Sequence, residues 1–126
     1  MVHQVSSPIT IYVEQTILFF TEGDIVLPYT VLRTKIIEIN GKKIVGFEIE
    51  LPNAPPLILF RGDKGFIMCG YLDIKVAEKL GLVAARITGV KNIEEALDKT
   101  ISEATSKAIE QGIKPGMKVR EILKIL

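Results

Sequence analysis

The 126 residues are enough for one hydrophobic core and too few for two ordinary domains, and a composition 48% apolar and 25% charged excludes a disordered chain. A formal net charge of +1 excludes any general electrostatic attraction to nucleic acid or to an anionic membrane surface. The charge is unevenly spread: all sixteen Lys and Arg and twelve of the fifteen acids follow residue 32, leaving residues 1–32 at −3 and the remainder at +4. The single cysteine cannot form an internal disulfide and suits a reducing cytoplasm, the compartment expected here. Glu14 and Gln15 interrupt the N-terminal apolar stretch, so no signal peptide is expected, and no run approaches the ~20 apolar residues that span a bilayer. Abundant Ile and Val, absent Trp and a Lys/Glu-rich charge set form a weak thermophilic signature.

Residues 9–20, ITIYVEQTILFF, are rich in β-branched and aromatic side chains and predict extended structure, as one strand or two. Glu22 to Asp24 predict a turn, and Pro28 an edge or break. Asn40-Gly41 is the strongest local signal, a dipeptide suited to the type I′ turn of a two-residue hairpin. Residues whose numbers sum to 81 then face each other, which pairs Arg33 with Glu48, Glu38 with Lys43 and Ile37 with Ile44. Leu32, Thr34 and Ile36 share a face with Val45, Phe47, Ile49 and Leu51, the face on which apolar groups are expected to collect. Pro52, Pro55 and Pro56 predict an extended connection. The runs LILF and GFIMC, either side of Arg61-Gly62-Asp63-Lys64, predict a second hairpin with strands buried on both faces.

Asp73 predicts the cap of a short helix with Ile74, Ala77 and Leu80 on one face and Gly81 at its end. LVAARITG returns to strand, so the intervening helix makes a βαβ crossover with a parallel pair. Asn92 and Glu95 form a capping box for a long helix over roughly residues 93–111, with Glu95–Lys99 and Glu103–Lys107 at i,i+4 spacing. A final amphipathic helix turns Val119, Ile122, Leu123 and Leu126 inward. The expected fold class is α+β: an antiparallel-dominated mixed sheet built from hairpins, packed against about three helices in the C-terminal half. The chain is expected to be a single domain over 1–126, with residues 1–30 a β-rich extension and 31–126 the α+β core.

Cys69 is the first candidate for chemistry. It stands at the end of an apolar strand, just before a predicted helix whose N-terminal amides would favour a thiolate. Gly70 allows a tight turn and close approach of a ligand, Tyr71 can hydrogen-bond at the rim, and Asp73 reads better as a cap than as an acid. Arg61, Lys64 and Arg86 are the candidate anion binders, Arg86 because it breaks an apolar strand. Against reactivity, a free cysteine is commonly a small buried hydrophobe, and the sole histidine, His3, is far off in sequence. One Cys and one His make no metal site, no GxxxxGK[ST] phosphate loop or cofactor motif is present, and basic residues are not interleaved with aromatics as in RNA binders. Arg61-Gly62-Asp63 reads as a turn.

The segments INGKKIVGFEIELPNAPPLILFRGDKGFIMCGYLDIKVAEKLG, GVKNIEEAL and GIKPGMKVREIL together resemble the YunC-like family, small proteins described by a domain of unknown function. The likeness runs from about Thr34 to Leu123 and is most specific at Met68-Cys69-Gly70-Tyr71-Leu72, with residues 1 to about 30 outside it. The resemblance implies a compact α+β domain, brings no activity, and adds weight to the Cys-Gly-Tyr-Leu block as a site.

Two functions fit this reading. The preferred one is a cytoplasmic, homo-oligomeric ligand-binding or assembly module, with Cys69, Gly70 and Tyr71 contacting a small anionic ligand that Arg61 or Arg86 neutralises. The other is a thiol-dependent enzyme or redox sensor with Cys69 as nucleophile and the amides of residues 70–72 as oxyanion donors.

Overall fold

The computed structural model describes residues 10–18 and 30–126. They form one seven-stranded sheet whose spatial order is the order of the chain: β1 (Thr10–Leu18), β2 (Thr30–Ile39), β3 (Lys42–Leu51), β4 (Ala54–Arg61), β5 (Phe66–Met68), β6 (Ala84–Arg86) and β7 (Glu103–Ala104). Every neighbouring pair is antiparallel except β5 and β6, which are parallel and joined through α1 (Ile74–Lys79). Three further short helices follow: α2 (Ile93–Leu97), α3 (Ser106–Glu110) and α4 (Val119–Ile122). The α+β class and the antiparallel-dominated mixed sheet are as the sequence implies, with four helices where about three were expected. None of the described helices is long and apolar enough to cross a membrane.

The β2–β3 register is the one the Asn-Gly turn dictates: Arg33 faces Glu48, Ile37 faces Ile44 and Glu38 faces Lys43, with Asn40 and Gly41 at φ of 51° and 77°. The faces are used differently from expectation. Ile37, Ile39 and Ile44 are the fully buried ones, whereas Leu32, Ile36, Val45, Phe47 and Ile49 on the opposite face are half-buried. The helices explain this. The core forms where α2, α4 and the C-terminal residues cover the Ile37/Ile44 face, which continues through Ile58, Phe60, Ile67 and Ala85. The second hairpin alternates in the same way: Ile58, Phe60 and Ile67 are sealed, while Leu57, Leu59, Phe66 and Met68 stay partly accessible, so its strands are not buried on both faces.

The connection at the prolines is short: Leu51 pairs with Ala54 across a two-residue turn in which Asn53 takes a positive φ of 53°, and Pro55 and Pro56 are extended, as expected, but inside β4. The predicted helix over 93–111 is interrupted. α2 ends at Leu97, the Ser102 and Thr105 amides donate to the Arg86 and Ala84 carbonyls at 2.8 and 2.9 Å, and Thr105 caps the separate helix α3. Pairing with β6 outcompetes helix propensity here, because the intervening Thr100, Ser102 and Thr105 favour caps and strands over helix interiors. Leu80, expected on the inner face of α1, is 65% exposed, since that helix ends one residue earlier and only Ala77 is buried. Val119, Ile122, Leu123 and Leu126 are buried as the amphipathic pattern requires. The predicted turn at residues 22–24 and the break at Pro28 lie outside the described residues.

Glu48 fastens the helical layer to the sheet. Its Oε1 accepts from Arg33 at 2.9 Å and from the Ile93 amide at 3.0 Å, satisfying a helix-start donor that has no partner within α2. Arg33 and Lys35 both pair with Glu94 as well.

Candidate functional site

β5 and β6 run parallel and both end at the same edge of the sheet, and there the chain leaves in two directions. After Met68 it makes a turn closed by the Leu72 amide donating to the Cys69 carbonyl at 3.0 Å, then enters α1 under the Asp73 cap. After Arg86 it runs to Gly89, whose φ of +69° turns the backbone away. The carboxyl ends of adjacent parallel strands are where open sheets leave a crevice. A cavity of about 330 Å³ opens here, lined by Pro55, Pro56, Cys69, Gly70, Tyr71, Gly89 and Val90. Its walls are mostly apolar, and its only ionisable groups are a thiol and a phenol.

Cys69 is on the floor, 4% exposed and part of the main core. Its backbone amide donates to the Ile58 carbonyl at 3.0 Å, as an antiparallel ladder requires. The return bond would run from the Ile58 amide to the Cys69 carbonyl, but that carbonyl has turned to accept from Leu72. Sγ takes its place, accepting from the Ile58 amide at 3.3 Å. The thiol thus supplies an acceptor to a buried N–H whose regular partner has left the ladder.

Tyr71 is half exposed, and its hydroxyl donates to the Pro55 carbonyl at 2.8 Å, tying the turn to the start of β4. Gly70 has no positive φ, and a Cβ there would meet only Arg86 Nη2 at 3.8 Å and Thr88 Cγ2 at 3.9 Å, ordinary contacts. Its value is the bare main chain it presents. Arg86 stands beside the site with its charge engaged: Nη1 donates to Glu103 at 2.6 Å and Nη2 to the Gly70 carbonyl at 3.3 Å, while Nε is buried with no acceptor. Arg61 is elsewhere. It faces Phe66, three residues along β4 from Ile58 and therefore about 10 Å away, where it borders a shallow depression with Leu59, Phe66 and Met68. Lys64 belongs to the turn between β4 and β5, its amide donating to the Leu126 carbonyl at 3.2 Å.

The sequence candidates Cys69, Gly70 and Tyr71 therefore converge, Arg86 adjoins them, and Arg61 does not. Pro55, Pro56, Gly89 and Val90 were missed; the sequence signal for the last two was the Gly that ends the predicted strand of a parallel pair. Thiol activation through α1 has little support. The helix has six residues, its Lys75 and Val76 amides are occupied by Asp73 at 3.0 and 3.4 Å, and the Leu72 amide is occupied by Cys69. A larger open groove of about 440 Å³ lies between α1 and β7, but its carboxylates are already used, Glu78 by the Ser106 amide and Glu103 by Arg86. Among the described residues, no group of three or more His, Cys, Asp or Glu is placed to hold a metal.

A domain of unknown function, DUF1805, matches residues 68–126, beginning at Met68 beside the Cys69 turn. An uncharacterised protein, YunC of Bacillus subtilis, is 38% identical over 91 residues, 69% of this chain and 89% of its own. A crystal structure of a protein of unknown function from Thermoplasma acidophilum superposes with a TM-score of 0.69 at 36% identity, covering 74% of this chain and 90% of the other. The chain belongs to the YunC-like family of uncharacterised proteins.

Proposed function

We infer that this protein is a small-molecule-binding module whose site is the cavity at the carboxyl ends of β5 and β6, with Cys69 as a structural floor rather than a nucleophile. The observation that supports it is the placement of a preformed, mostly apolar cavity at the one parallel crossover of the described sheet. The module is proposed for a reducing cytoplasm, where a lone thiol persists. Protein-observed NMR with a fragment library tests the reading. Shifts converging on the Gly70, Tyr71, Gly89 and Val90 amides support it, and a library whose hits map elsewhere, or which yields none, rejects it.

Assembly is the second reading, supported by the position of β1, nine residues without Lys, Pro or Gly, at the edge of the sheet that the described residues form. Sedimentation velocity on the full chain decides it: a monomer at tens of micromolar excludes homo-oligomeric function through that edge.

A further inference from the structure

We propose that the cavity takes a small molecule bearing a carboxylate, its apolar body against the lining and its negative charge held by the Lys99 ammonium at the Gly89 edge; this rests on the reading above that the cavity is the binding site. Lys99 Nζ lies 4.0 Å from where a Cβ on Gly89 would stand, and Gly89 lines the cavity. Lys99 is partly buried, yet among the described residues its ammonium makes no hydrogen bond and no ion pair. The carboxylates nearest in sequence are engaged elsewhere. Glu95, the i,i+4 partner expected on a continuous helix, accepts from the Lys91 amide at 2.8 Å, and Asp98 accepts from Arg120 at 2.9 Å. The backbone at Lys99 is fixed on both sides, its amide donating to the Ala96 carbonyl at 3.1 Å and its carbonyl accepting from the Val119 amide at 2.8 Å. A cation partly removed from water, without a counter-charge and beside an apolar cavity, gains by meeting an anion there.

The charge of the bound group follows from its surroundings. Arg86, the other cation beside the site, is balanced by Glu103 at 2.6 Å, and its second terminal nitrogen holds the Gly70 carbonyl. No lining residue is acidic, so nothing in the wall repels an anion. Lys99 supplies one positive charge, which a single carboxylate balances and a doubly charged phosphate exceeds. Two proline rings, a valine and the tyrosine give apolar walls, against which a ring or branched chain gains dispersion and hydrophobic contact. The cavity is open, so a longer ligand can extend past it; the lining selects only the end that it holds.

Benzoate and benzamide, a matched pair that differs in charge, test this with phenyl phosphate as a third probe, titrated into the full-length protein by ¹H–¹⁵N NMR at neutral pH and low salt. The variants are Lys99→Met, which keeps the stem and removes the charge, and Lys91→Met, which removes an exposed cation next to Val90 in the chain. The expected result is saturable shifts at Gly70, Tyr71, Gly89 and Val90, with benzoate bound about fivefold or more tightly than benzamide. Lys99→Met should abolish that preference and leave benzamide binding unchanged, and Lys91→Met should keep it. Equal affinities in the wild type, or a preference that survives Lys99→Met or is lost in Lys91→Met instead, refute the role of Lys99 while the site stands. Phenyl phosphate bound more tightly than benzoate refutes the carboxylate. If no probe shifts these residues, the binding reading falls together with the anion.

Discussion

Replacing Cys69 isolates what its sulfur does. Truncation to Ala removes the acceptor of the Ile58 amide, and Ile58 is fully buried. An unsatisfied buried donor costs about 1–3 kcal/mol, and the lost sulfur contacts with the small void add ~1 kcal/mol. Cys69→Ala is therefore expected to destabilise by about 2–4 kcal/mol, or about 8–16 °C in Tm for a chain of this length. The sharper comparison is Cys69→Thr with Cys69→Val, side chains of nearly equal shape that differ by a hydroxyl. In an apolar core Val ordinarily wins. Here Thr is expected to be the more stable by about 0.5–1.5 kcal/mol, because its oxygen can accept from the Ile58 amide. Urea unfolding at equilibrium, with a shared m-value, measures all three. Val at wild-type stability, or Val above Thr, would refute the acceptor argument. A nucleophilic role predicts otherwise, since removing a reactive group from a site commonly leaves stability unchanged or raised.

Cys69 in the native protein is expected to react with iodoacetamide at least about tenfold more slowly than in urea-unfolded protein, because labelling of a 4% exposed thiol waits for local opening; rapid native labelling would restore the thiol-enzyme reading. Gly65→Ala places a Cβ 2.2 Å from the Val83 carbonyl oxygen and 2.7 Å from its side chain, so the start of the parallel pair must shift. A loss of ~3 kcal/mol or more is expected for it, against ~0.5 kcal/mol or less for Gly70→Ala, and equal effects in urea unfolding would contradict the close approach of β5 and β6. Glu78 is held below the ordinary carboxylate range by the Ser106 backbone amide first and the Ser106 side chain second. A depressed folded pKa stabilises above the unfolded pKa and is lost as pH falls through the folded value, so Glu78→Gln should flatten the acid limb of the Tm–pH profile; an unchanged slope removes that link.

Local rules carried the first half of the fold. Asn40-Gly41 set a register in which opposite charges pair, and both signals act over neighbouring residues, so they could be read without knowing the rest. Which face of that hairpin is buried depends on α2 and α4, more than forty residues away, and the alternation alone fits either side. The interrupted helix failed for a related reason. An apolar stripe at helical spacing persists through residues 93–108, yet a two-residue strand at Glu103–Ala104 satisfies the open edge of β6, a nonlocal gain that no helical period reveals. The same nonlocal pairing sets the surroundings of Arg86: as the i,i+4 partner of Lys107 on a helix Glu103 would lie away from it, whereas in the sheet Glu103 lies directly opposite Arg86 and pairs with it.

Cavity and cysteine arise from one topological event. At the end of the parallel pair β5 turns toward α1 while β6 turns away at Gly89, and the space between is not closed by β4, whose neighbouring residues are prolines without N–H donors. The turn that carries the chain out of β5 also removes the Cys69 carbonyl from the ladder, which strands the Ile58 amide. A side chain at position 69 that is small, apolar and able to accept a hydrogen bond repairs this while leaving the crevice open, and cysteine meets all three requirements. A thiol beside a pocket is thus accounted for by backbone hydrogen bonding before any reactivity is invoked. The family match begins at Met68, one residue before this junction, so the segment that matches the family model opens with the turn that creates the crevice.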